Sequence, residues 1–142
     1  MEIAHKREKK DNLLVAFATD DGKSLISDHF GMAEYFYIYR FLSDKEEFAA
    51  KRKNARYTGD ESMPHGDPKK ARATASAIEG VDVIVARRFG PNIKRLENKF
   101  VCVVTRVDTI AEAVELVRNN IGAIKNIKGE DGGTKYLVLK PD

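Results

Sequence analysis

The chain has a single cysteine, Cys102, among 142 residues. It cannot form an intramolecular disulfide, and neither a C-x-x-C zinc site nor an all-cysteine iron–sulfur cradle can be built from it. A metal or cluster held here would need histidine, backbone or carboxylate help, or a second chain. Long apolar runs are lacking too. The longest, such as Leu13 to Ala18, are far too short to cross a bilayer. The opening segment, Met1 to Asn12, is charged and has no apolar core, which argues against a cleaved signal peptide. A cytoplasmic protein with no membrane partner is expected. Charge of one sign is also scarce. Lys and Arg number 25 against 22 Asp and Glu, a net of +3, and no concentrated basic face of the kind nucleic acid requires is evident. No nucleic-acid partner is expected. The catalytic signatures G-x-S-x-G, Walker loop, H-E-x-x-H and G-x-G-x-x-G are all missing.

What is present is a globular composition, 42% hydrophobic and 33% charged, in a chain of one-domain length. The basic residues fall in three groups: Lys6, Arg7, Lys9 and Lys10 in a leading tail; Lys51, Arg52, Lys53 and Arg56; and Arg87-Arg88. The first two read as a solvated tail and an exposed strand edge. The third sits among apolar residues. The expected organisation is a tail over 1–12, an α/β domain over 13–118 and an extension over 119–142.

Leu13 to Ala18 is apolar at every position and bounded by the turn residues Thr19-Asp20-Asp21-Gly22, the pattern of a strand buried on both faces. Tyr35 to Phe41 is rich in aromatic and β-branched residues and reads as a second strand, its tyrosines packing on one face. A turn at Ser43-Asp44-Lys45 leads to a weaker third strand, Phe48 to Lys53, at a sheet edge. Asn54 to Asp67 reads as a long polar loop. Asp67-Pro68 is a helix start, Ala71, Ala75 and Ile78 recur at helical spacing, and Gly80 stops the helix. Val81 to Ala86 is a buried strand, Gly90-Pro91 opens a second helix, and Phe100 to Thr105 is another buried strand with Cys102 in its core. Thr109 and Glu112 have capping-box spacing ahead of the stripe Ile110, Ala113, Val114 and Val117.

A hairpin followed by alternating helices and strands gives a three-layer α/β/α fold with helices on both faces of a five-stranded mixed sheet, order 3-2-1-4-5. The strands from Leu13, Val81 and Phe100 run parallel. Winding reverses between the first and fourth strands, which leaves a crevice at their carboxyl ends. Thr19 to Gly22, Ser27 to Gly31, Met63 to Gly66 and Arg87 to Asn92 can converge there. A helix amino terminus at Gly90-Pro91 and the charges of Arg87 and Arg88 suggest capture of an anion. Asp20, Asp21 and Asp28 are a possible magnesium cluster, as in phosphodiester-cleaving enzymes, although Asp-Asp-Gly is also an ordinary turn.

The order of these elements resembles the dinitrogenase iron–molybdenum cofactor biosynthesis family, which includes nitrogenase cofactor carriers and the tail domain of the cofactor-synthesising radical enzyme. The resemblance spans about Leu13 to Val117. It rests on Val15 to Gly22, on Ile26 to Phe36 with His29-Phe30-Gly31 at its centre, on Val81 to Ala86 leading into Phe89-Gly90-Pro91-Asn92, and on Thr109 to Val117. It implies a ribonuclease H-like fold that binds an anionic metal–sulfur cluster: the iron–molybdenum cofactor, its precursor or another iron–sulfur cluster. Such a protein passes its cargo between cofactor-donating and cofactor-accepting proteins in nitrogen fixation or a related pathway, as a carrier and not an enzyme. By position, His29 is the candidate ligand beside Phe30 and Gly31, and Gly90 with Asn92 lies in the loop under the cluster. Arg87 and Arg88, which depart from the family pattern, would neutralise its charge. His65 falls where many members carry histidine and glycine, and is a further candidate metal ligand.

The family pattern has two glycines and a small aliphatic residue before the position of Gly90, where this chain has Arg87-Arg88-Phe89. These residues either fill the ligand space, grip a different anion or close over an empty site. A regulatory module that binds a small anion or acidic partner through the arginines is the alternative, with a magnesium nuclease behind it. The extension, with its strand-like Tyr136 to Leu139, has three destinations: an edge strand, pairing with a second molecule, or covering the crevice.

Overall fold

The computed structural model describes residues 12–54, 68–129 and 135–141. The sheet is built around β1 (Leu13–Thr19), which is buried at every position but Leu14. β2 (Tyr35–Phe41) runs antiparallel to it over seven paired residues, and β3 (Glu46–Lys53) turns back along β2 through a tight connection closed by Leu42 N–H donating to Lys45 O, 2.7 Å. α1 (Pro68–Ala77) then carries the chain across to β4 (Val83–Ala86), parallel to β1. A 3-10 turn at Gly90–Asn92 and the four-residue α2 (Ile93–Leu96) lead to β5 (Val101–Thr105), parallel to β4. α3 (Ile110–Asn119) and α4 (Ile121–Gly129) return the chain to β6 (Tyr136–Leu139), parallel to β5.

The sheet order is β3-β2-β1-β4-β5-β6. The expected mixed α/β fold is therefore observed, with a correction: the described residues form six strands, not five. The sixth is Tyr136–Leu139 of the extension, which lies along β5 as an edge strand. Its four residues alternate between cover and solvent, with Leu137 and Leu139 turned inward and Tyr136 and Val138 exposed.

Alternation along the central strands divides the core in two. Val15, Phe17, Val83, Val85, Val101 and Val103 face α3 and α4, where Ile110, Ala113, Val117 and Ile124 meet them. Ala16, Ala18, Ile84, Ala86 and Cys102 face the other way, against Phe30, Phe36, Ile78 and Leu96. Runs apolar at every position are what a strand covered on both faces requires. α3 begins as its sequence spacing predicts. Glu112 N–H donates to Thr109 Oγ1 (3.1 Å) and Thr109 N–H to Glu112 Oε1 (3.3 Å), a reciprocal cap that satisfies two orphan helix-end donors.

Candidate functional site

The carboxyl ends of β1 and β4 lie side by side where the winding reverses, and the loops that leave them meet. The β1 exit is a turn held by two side chains. Thr19 Oγ1 donates to Ser24 O (2.6 Å) and accepts from Gly22 N–H (2.9 Å), while Asp21 Oδ1 accepts from the N–H groups of Lys23 and Ser24, both at 2.8 Å. Those two backbone donors are the main reason the Asp21 carboxyl sits below its ordinary pKa of 3.8. Leu25 N–H bonded to Asp108 O and Ile110 N–H bonded to Lys23 O tie the turn to the start of α3.

Beyond this turn the chain reaches His29. Phe30–Met32 forms a single 3-10 turn, and His29 pairs with Arg88 through a short parallel bridge in which Phe30 N–H donates to Arg88 O at 2.8 Å. Asp28 Oδ1 accepts from His29 N–H at 2.7 Å, which fixes the backbone at the entry to the turn. The half-buried imidazole lies over Gly90, so closely that a Cβ built there would sit 2.7 Å from its Cγ. Gly90 has φ +74°, a left-handed conformation suited to glycine.

Arg87 and Arg88 separate as they leave β4. Arg87 pairs with Asp108 (3.4 Å) toward the α3 side, while Arg88 is exposed beside His29. Phe89 turns into the core and stacks on Phe30, with centroids 5.4 Å apart and planes at 24°. Phe30 stacks in turn on Phe36 at 4.7 Å and 19°. Asn92 is buried and accepts from Arg95 through Oδ1 at 3.3 Å. The helix that follows Gly90-Pro91 is only four residues after its 3-10 turn, so its aligned peptide dipoles amount to little and the positive field here comes from arginine.

The crevice bounded by His29, Gly31, Phe89, Pro91 and Asn92, with Ala71 and Thr74 of α1 on its far wall, holds only about 10 Å³. That is room for about one water, not a metal–sulfur cluster. A larger hollow of about 450 Å³ lies at the opposite end of the sheet, between Gly80-Val81 and Lys99-Phe100. It adjoins the strand starts, away from the switch point.

His65 lies outside the described residues, as does Asp67. Asp20, Asp21 and Asp28 are each occupied with backbone: Glu34 N–H donates to Asp20 Oδ1 at 2.8 Å, and the other two cap the turns described above. Among the described residues no three His, Cys, Asp or Glu side chains gather where they could hold a metal. Cys102 is buried in β5, and burial pushes its thiol up to about 12. Two contributors escape sequence reasoning. Asn54, buried at the end of β3, donates from Nδ2 to Gly31 O (2.8 Å) and Ala33 O (2.9 Å) and so supports the His29 turn, while its buried Oδ1 has no hydrogen-bond partner among the described residues. Asp108 holds Arg87. Neither residue belongs to a pattern that sequence spacing could expose.

Fold and site together define an α/β protein with a histidine and an arginine at its switch point. The chain belongs to the dinitrogenase iron-molybdenum cofactor family, whose model matches residues 11–120. A solved structure from Methanocaldococcus jannaschii, provisionally described as a dinitrogenase, has the same fold at a TM-score of 0.53 and 20% identity, over 77% of this chain and 90% of that one. No curated protein matches the sequence significantly. No helix among the described residues is long and apolar enough to cross a membrane.

Proposed function

We propose that the protein is a carrier that binds an anionic metal–sulfur cluster, the iron–molybdenum cofactor or a precursor of it, at the carboxyl ends of β1 and β4. His29 is its ligand, and Arg88 supplies counter-charge, while Arg87 is engaged by Asp108. The observation that carries this reading is the His29 imidazole set on Gly90 next to exposed Arg88, within the stretch matched by the family. With one histidine and no gathered set of ligating side chains among the described residues, the protein would hold its cargo weakly. Weak, charge-assisted holding suits transfer to another protein better than storage or catalysis. A cytoplasmic location fits such a role.

The narrow crevice bears on how the cargo sits. At about 10 Å³ the space beside Phe89 admits no cluster, so the cargo rests on the rim formed by His29 and Arg88, or displaces Phe89 from its stack. The same closure favours one second reading: a non-catalytic regulatory module of this fold that binds a small anion or acidic partner through Arg88. Anaerobic reconstitution with a metal–sulfur cofactor, followed by absorption spectroscopy, separates the two. Uptake by the wild type that falls in His29→Ala supports the carrier. Absence of uptake, or equal uptake by both, removes it.

A further inference from the structure

The edge strand β3 carries its charges in two blocks. Glu46 and Glu47 open it, Phe48, Ala49 and Ala50 follow, and Lys51, Arg52 and Lys53 close it. β3 pairs with β2 on one side and, among the described residues, ends the sheet on the other. Phe48, 53% exposed, stands on this strand against Tyr37 and Tyr39. Charged edges and bulges commonly protect a sheet from indiscriminate pairing. Here the signs are segregated, which opposes a parallel copy but is self-complementary in one antiparallel register.

That register follows from the ladder. The eight residues of β3 oppose only seven of β2, because the register shifts between Ile38 and Tyr39 and leaves Ala49 as the extra residue. Ala50, opposite Ile38, is then the middle of the ladder. A two-fold axis through Ala50 and normal to the sheet sets Glu46 opposite Lys53 of a second copy, Glu47 opposite Arg52, and Phe48 opposite Lys51. Directly opposed residues of an antiparallel pair share a face of the sheet. Glu46 and Lys53 would lie on opposite faces of an unbulged strand. With Ala49 outside the alternation they share one, since their β2 partners Phe41 and Tyr35 do. In this register the bulge is what places the opposed charges on one face.

We propose that β3 is a self-association edge, on which two copies pair antiparallel and extend one sheet into the other. Each Glu–cation pair occurs twice by symmetry. Arg118 already orders Glu46 (2.9 Å) and the Glu79 carbonyl already orders Arg52 (2.7 Å), so part of the ordering cost is met within each chain. Exposed ion pairs are individually weak and screened by salt, so the association is reversible and salt-sensitive. It also reaches the candidate site. β3 ends at Asn54, whose amide supports the His29 turn, and Glu46 of the second copy stands beside that end.

Sedimentation of the full chain tests the proposal. The wild type is expected to dimerise with rising concentration, and roughly tenfold more weakly when salt rises from about 50 to about 500 mM. The double variant Glu46→Lys/Glu47→Lys and the triple variant Lys51→Glu/Arg52→Glu/Lys53→Glu should each be monomeric, and an equimolar mixture of the two should form a heterodimer. A wild type that stays monomeric to about 200 µM at low salt overturns the proposal. So does a dimer insensitive to salt, a dimer that survives in both variants, or a mixture of the two, folded by circular dichroism, that stays monomeric.

Discussion

The His29 ring occupies the space where a side chain on residue 90 would begin. A Cβ on Gly90 would stand 2.7 Å from Cγ and 2.8 Å from Cε1 of that imidazole, and the glycine itself has φ +74°. Each residue thus sets the other's conformation. The left-handed turn brings the exit of β4 under the ring, and the missing Cβ lets the ring rest on backbone.

Gly90→Ala should be destabilised by more than the backbone strain alone, which is about 1–2 kcal/mol for an alanine forced into the left-handed region. Gly80 supplies the control. It has φ +86° and nothing within 4 Å of a built Cβ, so Gly80→Ala carries the strain without the collision. Urea denaturation should show the larger loss for Gly90→Ala. The His29 imidazole resonances should shift in that variant and stay put in Gly80→Ala. Equal losses with unmoved resonances would show that the ring yields freely.

Phe89 decides how much room the crevice has. Removing its ring breaks the stack with Phe30 and opens space beside His29. Phe89→Ala should lose about 3–5 kcal/mol, the usual range for a buried phenylalanine truncated to alanine. If the carrier reading holds, the variant should take up more metal–sulfur cofactor per folded chain than the wild type, measured under anaerobic conditions by absorption. Reduced uptake by folded Phe89→Ala would mean that the ring is part of the binding surface.

The Asp21 carboxylate holds the β1 exit through the N–H groups of Lys23 and Ser24, and its pKa is lowered from 3.8 mainly by those bonds. A carboxyl more acidic in the folded state stabilises that state above the unfolded pKa, and the contribution disappears as pH falls through the lowered value. Asp21→Ala should therefore melt below the wild type at pH 7, and the two melting temperatures should converge in strongly acidic solution. A gap that persists to the lowest measurable pH would assign the effect to packing rather than to the charge.

Most of the sheet was legible because its strands are buried on both faces and so carry unbroken apolar runs, as Val83 to Ala86 does. The hairpin and the capping box at Thr109 were legible for local reasons, a short turn and a reciprocal spacing. α4 was not. Asn119 and Asn120 ahead of it and Gly122 and Gly129 within it are weak helix formers, and the helix stands because Ile124 is buried against the core. The sixth strand was one of three open destinations, since Tyr136 and Val138 keep one side of it in solvent. At the site, the position of His29 followed from its place after β1. That Arg87 and Arg88 part company, and that Phe89 fills the crevice, depends on side-chain directions after a strand end, where alternation no longer binds.

Cys102 is the residue whose role the fold determines most completely. It is fully buried in β5, its Sγ 3.8 Å from Phe100 O, and burial raises the thiol from 9.0 to about 12. A thiol at that value carries almost no thiolate near neutrality, so it neither attacks reagents nor ligates metal from where it stands. Labelling by a thiol-specific disulfide reagent at pH 8 should be negligible in the folded protein and should become rapid only in denaturant. The sign of the linkage is fixed as well. A thiol harder to ionise when folded favours the folded state at alkaline pH less and less, so its contribution is complete below pH 9.0 and is lost as pH rises toward about 12. Cys102→Ser should leave cofactor uptake unchanged, because the cluster is assigned to His29. It should also flatten the alkaline loss of stability seen in the wild type by urea denaturation. Loss of cofactor uptake in a folded Cys102→Ser protein would move the ligand assignment from the switch point to the core of β5.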